Sequence, residues 1–285
     1  MKGGSHSLSC NKLQRDNVFF RSDPRPVFFV ANRGHHADIG GLVPGSLPPN
    51  ATHIEQEGAS FISFKVVNGG IFQEEQLIQH LKAPGNIKNC SPTRNIPDVM
   101  ADLKAQIAAN KKGIELVVDL MEEYGQDVVI AYMTHIMKAA EDSVRALLSK
   151  VAKETRERTG GTVLKAMERM DDGTPINLTV TINEEEGSAI FDFTGTGAEC
   201  LYCWNTPKAV TMSAVIYCLR CLVGRDIPLN EGCLVPVEIV IPEKSLLSPS
   251  EFAAVGGGNI QTSQRICDVV LKAFKAVAAS QGKKR

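Results

Sequence analysis

From Pro97 to Glu157 the chain is almost continuous helical sequence, interrupted once at Gly125. Pro97 suits a first helical turn, because its missing N–H is not needed there, and glycine suits a helix stop. The spacing predicts one helix ending near Glu123 and a second over roughly 126–157. Two long helices joined by so short a connection are expected to fold back as an antiparallel hairpin. Its seam would be Ile107, Leu116, Leu120, Val129, Met133, Ile136 and Leu147.

Around that hairpin, strand patterns and helix patterns are segregated rather than strictly alternating. Residues 1–25 show no sustained period and are expected to be unstructured. PVFFVA (26–31) reads as a buried strand of parallel-sheet type, and ASFISFKVV (59–67) as another, closed by Asn68-Gly69-Gly70. FQEEQLIQHL fits a short helix. INLTVTI (176–182), the turn NEEEG and SAIFDFTG (188–195) alternate like a β-meander. Val210–Val223 reads as a buried helix, PVEIVIP (236–242) as a strand, and the stretch from Thr262 to about Ala279 as an amphipathic helix. The expected fold class is α+β, with mixed sheet elements and a long antiparallel helical hairpin.

Bulk properties exclude several functions. A formal net charge of −1, with basic residues dispersed, offers no field for nucleic acid or an anionic membrane. No apolar run approaches the roughly 20 residues that span a bilayer, and the N-terminus lacks a signal-peptide core. Cytosolic localisation is the expectation, with the eight cysteines reduced. Cys200-x-x-Cys203 and Cys218-x-x-Cys221 match a zinc-knuckle spacing. Cys218 and Cys221, however, lie in the apolar run AVIYCLRCLV, where positions i and i+3 share a buried face.

The residues that can carry chemistry concentrate in NRGHHADIGG (32–41). His35, His36 and Asp38 are metal-ligand types among glycines that let the backbone turn tightly. Adjacent histidines on a strand point to opposite sides, so at most one faces a given metal. The alternative is a polar loop whose His and Asp satisfy backbone groups. On the first long helix, Asp98, Asp102, Gln106 and Asn110 recur every fourth residue as a polar stripe. Asp and Asn are costlier in a helix than Lys or Glu, which hints at hydrogen bonding. Gly256-Gly257-Gly258-Asn259, ahead of Thr262, places free amides at a helix start where an anion or carboxylate can be held. The same residues also suit a plain N-capped turn. GTG at 195–197 lacks the third glycine and the helix of a dinucleotide fingerprint.

In their order along the chain, PVFFVANRGHHADIGGLVPGSLPP, IFQEEQL, DLKAQIAANKKGIELV, EEYG, FDFTGTG, NTPKAVTMSAVIYCLRCLVGRDIPLNEGC and GGGNIQTSQRICDVVLKAF resemble the hydantoinase B/ATP-dependent 5-oxoprolinase family. The resemblance runs from Pro26 to about Gly282. It implies ATP-dependent ring opening of a cyclic amide, 5-oxo-L-proline to L-glutamate in glutathione metabolism, with ATP used by a hydantoinase A-type part that no stretch here resembles. It also implies a divalent metal, with His35 as the carried-over ligand. His36, as general base or water-orienting group, and Asp38 are then the catalytic neighbours. Asp102, Gln106, Asn110, Asn259 and Thr262 are the expected substrate contacts. Ser5-His6-Ser7 does not reproduce the family's upstream H-x-x-D ligands. The expectation is a non-family segment over 1–25 and a partial hydantoinase B-type domain over 26–285, truncated at both ends. A hydantoinase A-type partner is expected, and a homo-oligomer remains open. The second reading is a catalytically inactive truncated homologue acting as a binding or regulatory subunit.

Overall fold

A computed structural model of the chain describes residues 11–19 and 25–276. They divide into two compact units. The first comprises the described residues up to Ile130, with Leu201–Cys203 and Glu251–Gly256; the second comprises Ala131–Cys200, Trp204–Ser250 and the described residues from Gly257 onward.

The first unit opens with an antiparallel ribbon, β1 (Asn11–Val18) against β2 (Phe28–His35), in which Asn11 faces His35 and Val18 faces Phe28. Two expectations are corrected here. Part of the segment expected to be unstructured supplies β1, whose polar sequence carries no period because its pairing is made by backbone groups. The strand at PVFFVA is not a doubly buried parallel strand either. β2 alternates between more and less buried residues, and Phe29 is exposed, as suits a strand covered on one side only.

Next come β3 (Val67–Asn68) and β4 (Ile71–Phe72), a minimal hairpin around Gly69 and Gly70, which both hold positive φ. The strand expected over 59–67 is reduced to β3. Its apolar residues Ala59, Phe61, Phe64 and Val66 instead pack as irregular chain with Leu77 and Leu81 of α1 (Glu74–Lys82). Then α2 (Ile96–Tyr124) starts where Asn95 Oδ1 accepts the Asp98 amide at 3.3 Å and stops at Gly125, φ 86°. Such a cap contributes about 1 kcal/mol. α3 (Gln126–Thr159) follows.

Of the residues expected along the seam of these two helices, Leu116, Leu120, Met133 and Ile136 are exposed. Each helix spends its apolar stripe within its own unit. Ile114, Val117, Val118 and Met121 of α2 join Val18, Phe28, Val30 and Val129 in one cluster. Ala140, Val144, Leu148 and Ala152 of α3 face the core of the second unit.

That core is built on a four-stranded sheet of order β5-β6-β7-β8: β5 (Val163–Arg169), β6 (Pro175–Asn183), β7 (Ser188–Asp192) and β8 (Val237–Val240). The first three are antiparallel neighbours, and β8 runs parallel to β7. Ile176, Leu178, Val180 and Ile182 alternate inward along β6. They meet Val215 and Leu219 of α4 (Lys208–Val223) and Val269 and Val270 of α5 (Ser263–Ala273). The α+β class with mixed sheet elements is what forms. Among the described residues no helix is long and apolar enough to cross a membrane.

Candidate functional site

The motif and the polar stripe meet because two periods match. Two residues of strand advance about 6.7 Å and four residues of helix about 6 Å. A strand laid along a helix therefore puts alternate residues opposite every fourth helical one. On β2 the covered positions are Phe28, Val30, Asn32 and Gly34, with His36 just beyond the strand. On α2 the series is Ile114, Asn110, Gln106 and Asp102. At the apolar end Val30 lies against Gly113, where an added Cβ would stand 2.8 Å from Val30 Cγ1.

At the polar end Asn32 Nδ2 donates to the Gln106 carbonyl at 2.7 Å and to Asn110 Oδ1 at 2.5 Å. The Gln106 amide lies over Gly34, in the space that a Cβ there would need. His36 is fully buried, its Nδ1 3.5 Å from Asp102 Oδ2, while the Asp102 side chain is half-exposed. The structure thus brings together four of the expected residues: His36, Asp102, Gln106 and Asn110. Asn32 joins them, although sequence reading had not singled it out. Such a cluster can orient an amide through three carboxamides and handle a proton at an imidazole steadied by a carboxylate.

Gly34→Ala tests this packing. The added methyl meets the mobile end of Gln106, not backbone, so the unfolding free energy should change by no more than about 1 kcal/mol in a urea melt. The displaced amide should lower activity about tenfold to a hundredfold in the reconstituted assay described below.

His35 and Asp38, of the same unit, do not join these contacts. His35 is exposed on the opposite face of β2 from Asn32 and Gly34. Among the described residues no group of three His, Cys, Asp or Glu side chains converges to hold a metal, so the residues described do not fit one at His35. His6 lies outside the described residues. Asp38, expected to be catalytic, is held by four donors. Its Oδ1 accepts the Gly40 and Arg94 amides and its Oδ2 accepts the Gly45 amide and Arg94 Nη1, the last at 2.7 Å. Partial burial pushes its carboxyl up. The amides of Arg94, Gly40 and Gly45 and the Arg94 guanidinium outweigh that and hold it below the ordinary carboxylate range. Arg94 also donates to the carbonyls of Val43 and Gly41, so it ties the loop after the histidines into a fixed shape.

Asn259 and Thr262 belong to the second unit. Asn259 is exposed at a π-turn, Gly258–Thr262. Thr262 is buried, and its hydroxyl donates to the Trp204 carbonyl at 2.6 Å. The cysteines do not form a knuckle. Cys218 is buried on α4, its thiol 3.8 Å from the Cys267 carbonyl, whereas Cys221 is exposed.

The amides of the Gly-rich turn do hold a carboxylate, and it is the protein's own. Glu57, at the end of the 3-10 turn Ile54–Glu57, is fully buried and accepts Val255 N at 3.1 Å and Gly256 N at 2.8 Å. Burial pushes its carboxyl up to about 7, against the pull of those two amides. No pattern in HIEQEG marks Glu57: a glutamate in a short polar stretch reads as a solvated side chain.

With this geometry in hand, the relatives are informative. The model of the Hydantoinase B/oxoprolinase family matches residues 3–285. The chain is 52% identical over 265 residues to 5-oxoprolinase 1 of Arabidopsis thaliana, covering 90% of this chain and 21% of that protein. It is 47% identical over 264 residues to 5-oxoprolinase of Saccharomyces cerevisiae, covering 92% of this chain and 20% of that protein. The chain therefore spans about a fifth of the length of these relatives. Among solved structures, the ATP-dependent caprolactamase from Pseudomonas jessenii matches with a TM-score of 0.79 and 25% identity over 95% of this chain and 44% of that one.

Proposed function

The chain belongs to the hydantoinase B/oxoprolinase family, and from that premise we propose that it is the hydantoinase B-type segment of an ATP-dependent cyclic-amide hydrolase, opening 5-oxo-L-proline to L-glutamate. The observation that carries the reading is the polar end of the β2–α2 contact, where Asn32, Gln106 and Asn110 gather carboxamides beside the buried His36 and Asp102. A lactam presents one N–H donor and one C=O acceptor, and carboxamides supply the complement of both. The side-chain oxygens of Asn32 and Gln106 are buried and accept no hydrogen bond among the described residues, which suits an N–H donor.

In this mechanism the carboxamides hold the amide that ATP has activated. Water adds to the activated carbon, the imidazole of His36 takes the proton that water releases, and Asp102 steadies the resulting imidazolium. The C–N bond then breaks, and the imidazolium returns its proton to the nitrogen, which leaves as the amino group. A second water hydrolyses the acyl phosphate so formed to the side-chain carboxylate of glutamate and inorganic phosphate. ATP consumption is assigned to a hydantoinase A-type partner. Support for a partner comes from Tyr132, Met133, Ile136 and Met137, large apolar side chains exposed together on α3. With 5-oxoproline as substrate, the activity falls in glutathione metabolism, and we place it in the cytosol.

The test is reconstitution: the chain and a separately expressed hydantoinase A-type partner are incubated with 5-oxoproline and ATP, and glutamate is measured. Glutamate should form only in the mixture. Turnover by the chain alone would contradict the assignment of ATP chemistry to a partner. A mixture that forms a complex but yields no glutamate would contradict the ring-opening assignment.

A further inference from the structure

Glu57 is a buried carboxylate that the proposed mechanism does not use, and it sits where three backbone segments cross. Its own turn is fixed to the loop after the histidine motif: Leu42 N donates to the Gln56 carbonyl at 3.0 Å and Ala59 N to the Ile39 carbonyl at 2.9 Å. That turn is also fixed to the segment leading into the Gly-rich stretch, since Ile54 N donates to the Phe252 carbonyl at 2.9 Å and His53 bridges to Ala253. The carboxylate then takes the two amides of Val255 and Gly256. Gly256 has no side chain to keep the carboxylate away, and a Cβ there would stand 3.0 Å from Glu57 Oε1.

We propose that Glu57 is a positioning residue: its carboxylate, seated on the Val255 and Gly256 amides, holds the Gly-rich turn to the loop that follows His36. The proposal rests on reading that loop as part of the functional site. The chemistry makes the hold dependent on a proton. An ionised carboxylate accepts at both oxygens, which is the arrangement seen. A protonated one carries an O–H on one oxygen, which is a far weaker acceptor for the amide facing it than a carboxylate oxygen. One of the two contacts must then weaken. The titratable and charged groups on the segments packed around Glu57 are Asp38, Arg94, His53, Glu55 and Glu251, and none of them pairs with it among the described residues. Burial and the two amides are the forces on its proton, and they leave it poised near neutrality.

Amide NMR of the whole chain reads this without turnover. The Val255 and Gly256 N–H resonances should titrate together between about pH 6 and 8. In Glu57→Gln, which has one acceptor and one NH2 group, the titration should vanish. One of the two amides should also lose about tenfold in hydrogen-exchange protection, the scale of one lost hydrogen bond. Wild-type resonances that stay fixed across that range would overturn the proposal even if the variant failed to fold. So would a folded Glu57→Gln whose two amides keep both shift and protection. A failed reconstitution would count against the ring-opening function and leave these resonances as they are, so the two failures are distinguishable.

Discussion

With the hydantoinase A-type partner present, His36→Ala should lower ATP-dependent ring opening by about 10² to 10⁴-fold, the range that a positioned general base contributes. His36 is fully buried, so alanine also leaves a cavity, and the loss of chemistry must be separated from a loss of fold. His36→Gln provides the separation. It keeps a polar side chain of similar reach and cannot take a proton, so it should retain most of the stability and lose as much of the rate as His36→Ala. Asp102→Asn keeps the imidazole but removes the charge 3.5 Å from its Nδ1, and should fall between wild type and the His36 variants. Steady-state rates with thermal melts on the same preparations check all three. Full activity in a folded His36→Gln would remove His36 from the mechanism.

A different kind of effect is expected at Gly41. Its φ is +95°, and an added Cβ would stand 2.5 Å from the Gln56 carbonyl oxygen and 2.9 Å from Gly58 N. These are backbone atoms held by their own hydrogen bonds: Gly41 and Ser91 exchange N–H···O bonds at 2.9 and 3.0 Å, and Leu42 N donates to the same Gln56 oxygen. Neither neighbour can swing away as the Gln106 amide can. Backbone strain of about 1–2 kcal/mol and overpacking of about 1–3 kcal/mol both apply. Gly41→Ala should therefore destabilise the chain by roughly 3 kcal/mol, a fall of about 5–10 °C in Tm. Gly70 is the control. Its φ is +81° with nothing within 4 Å of an added Cβ, so Gly70→Ala carries only the backbone part, about 1 kcal/mol. Equal losses at the two positions would mean that the crossing at Gly41 is looser than described.

The chemistry of the site was more legible than its surroundings. A polar stripe of Asp102, Gln106 and Asn110 stands out in sequence because helices repeat every 3.6 residues and Asp and Asn are poor helix formers. What the stripe faces does not stand out. The partner is β2, and only the observed packing of strand on helix shows that Asn32 and His36 fall in step with Asn110 and Asp102. The same ambiguity applies to the two long helices. Apolar residues at helical spacing say that a face is buried and are silent on whether a helix or a sheet covers it. In α2 the cover is the β1–β2 ribbon, and in α3 it is the sheet containing β6. Motif reading singled out Asp38 and passed over Arg94, although the two form one unit: the carboxylate is held at both oxygens by Arg94 and three amides. Glu57 was invisible for the opposite reason. Its neighbours in sequence are polar, and the amides that hold it lie some two hundred residues away.

The central claim is that the polar end of the β2–α2 contact receives the cyclic amide, and a titration of the chain with 5-oxo-L-proline tests it most directly. Followed by NMR, the side-chain amide resonances of Asn32, Gln106 and Asn110 and the ring of His36 should shift together and saturate together. Those resonances staying in place while others saturate, around Asn259 for instance, would contradict it.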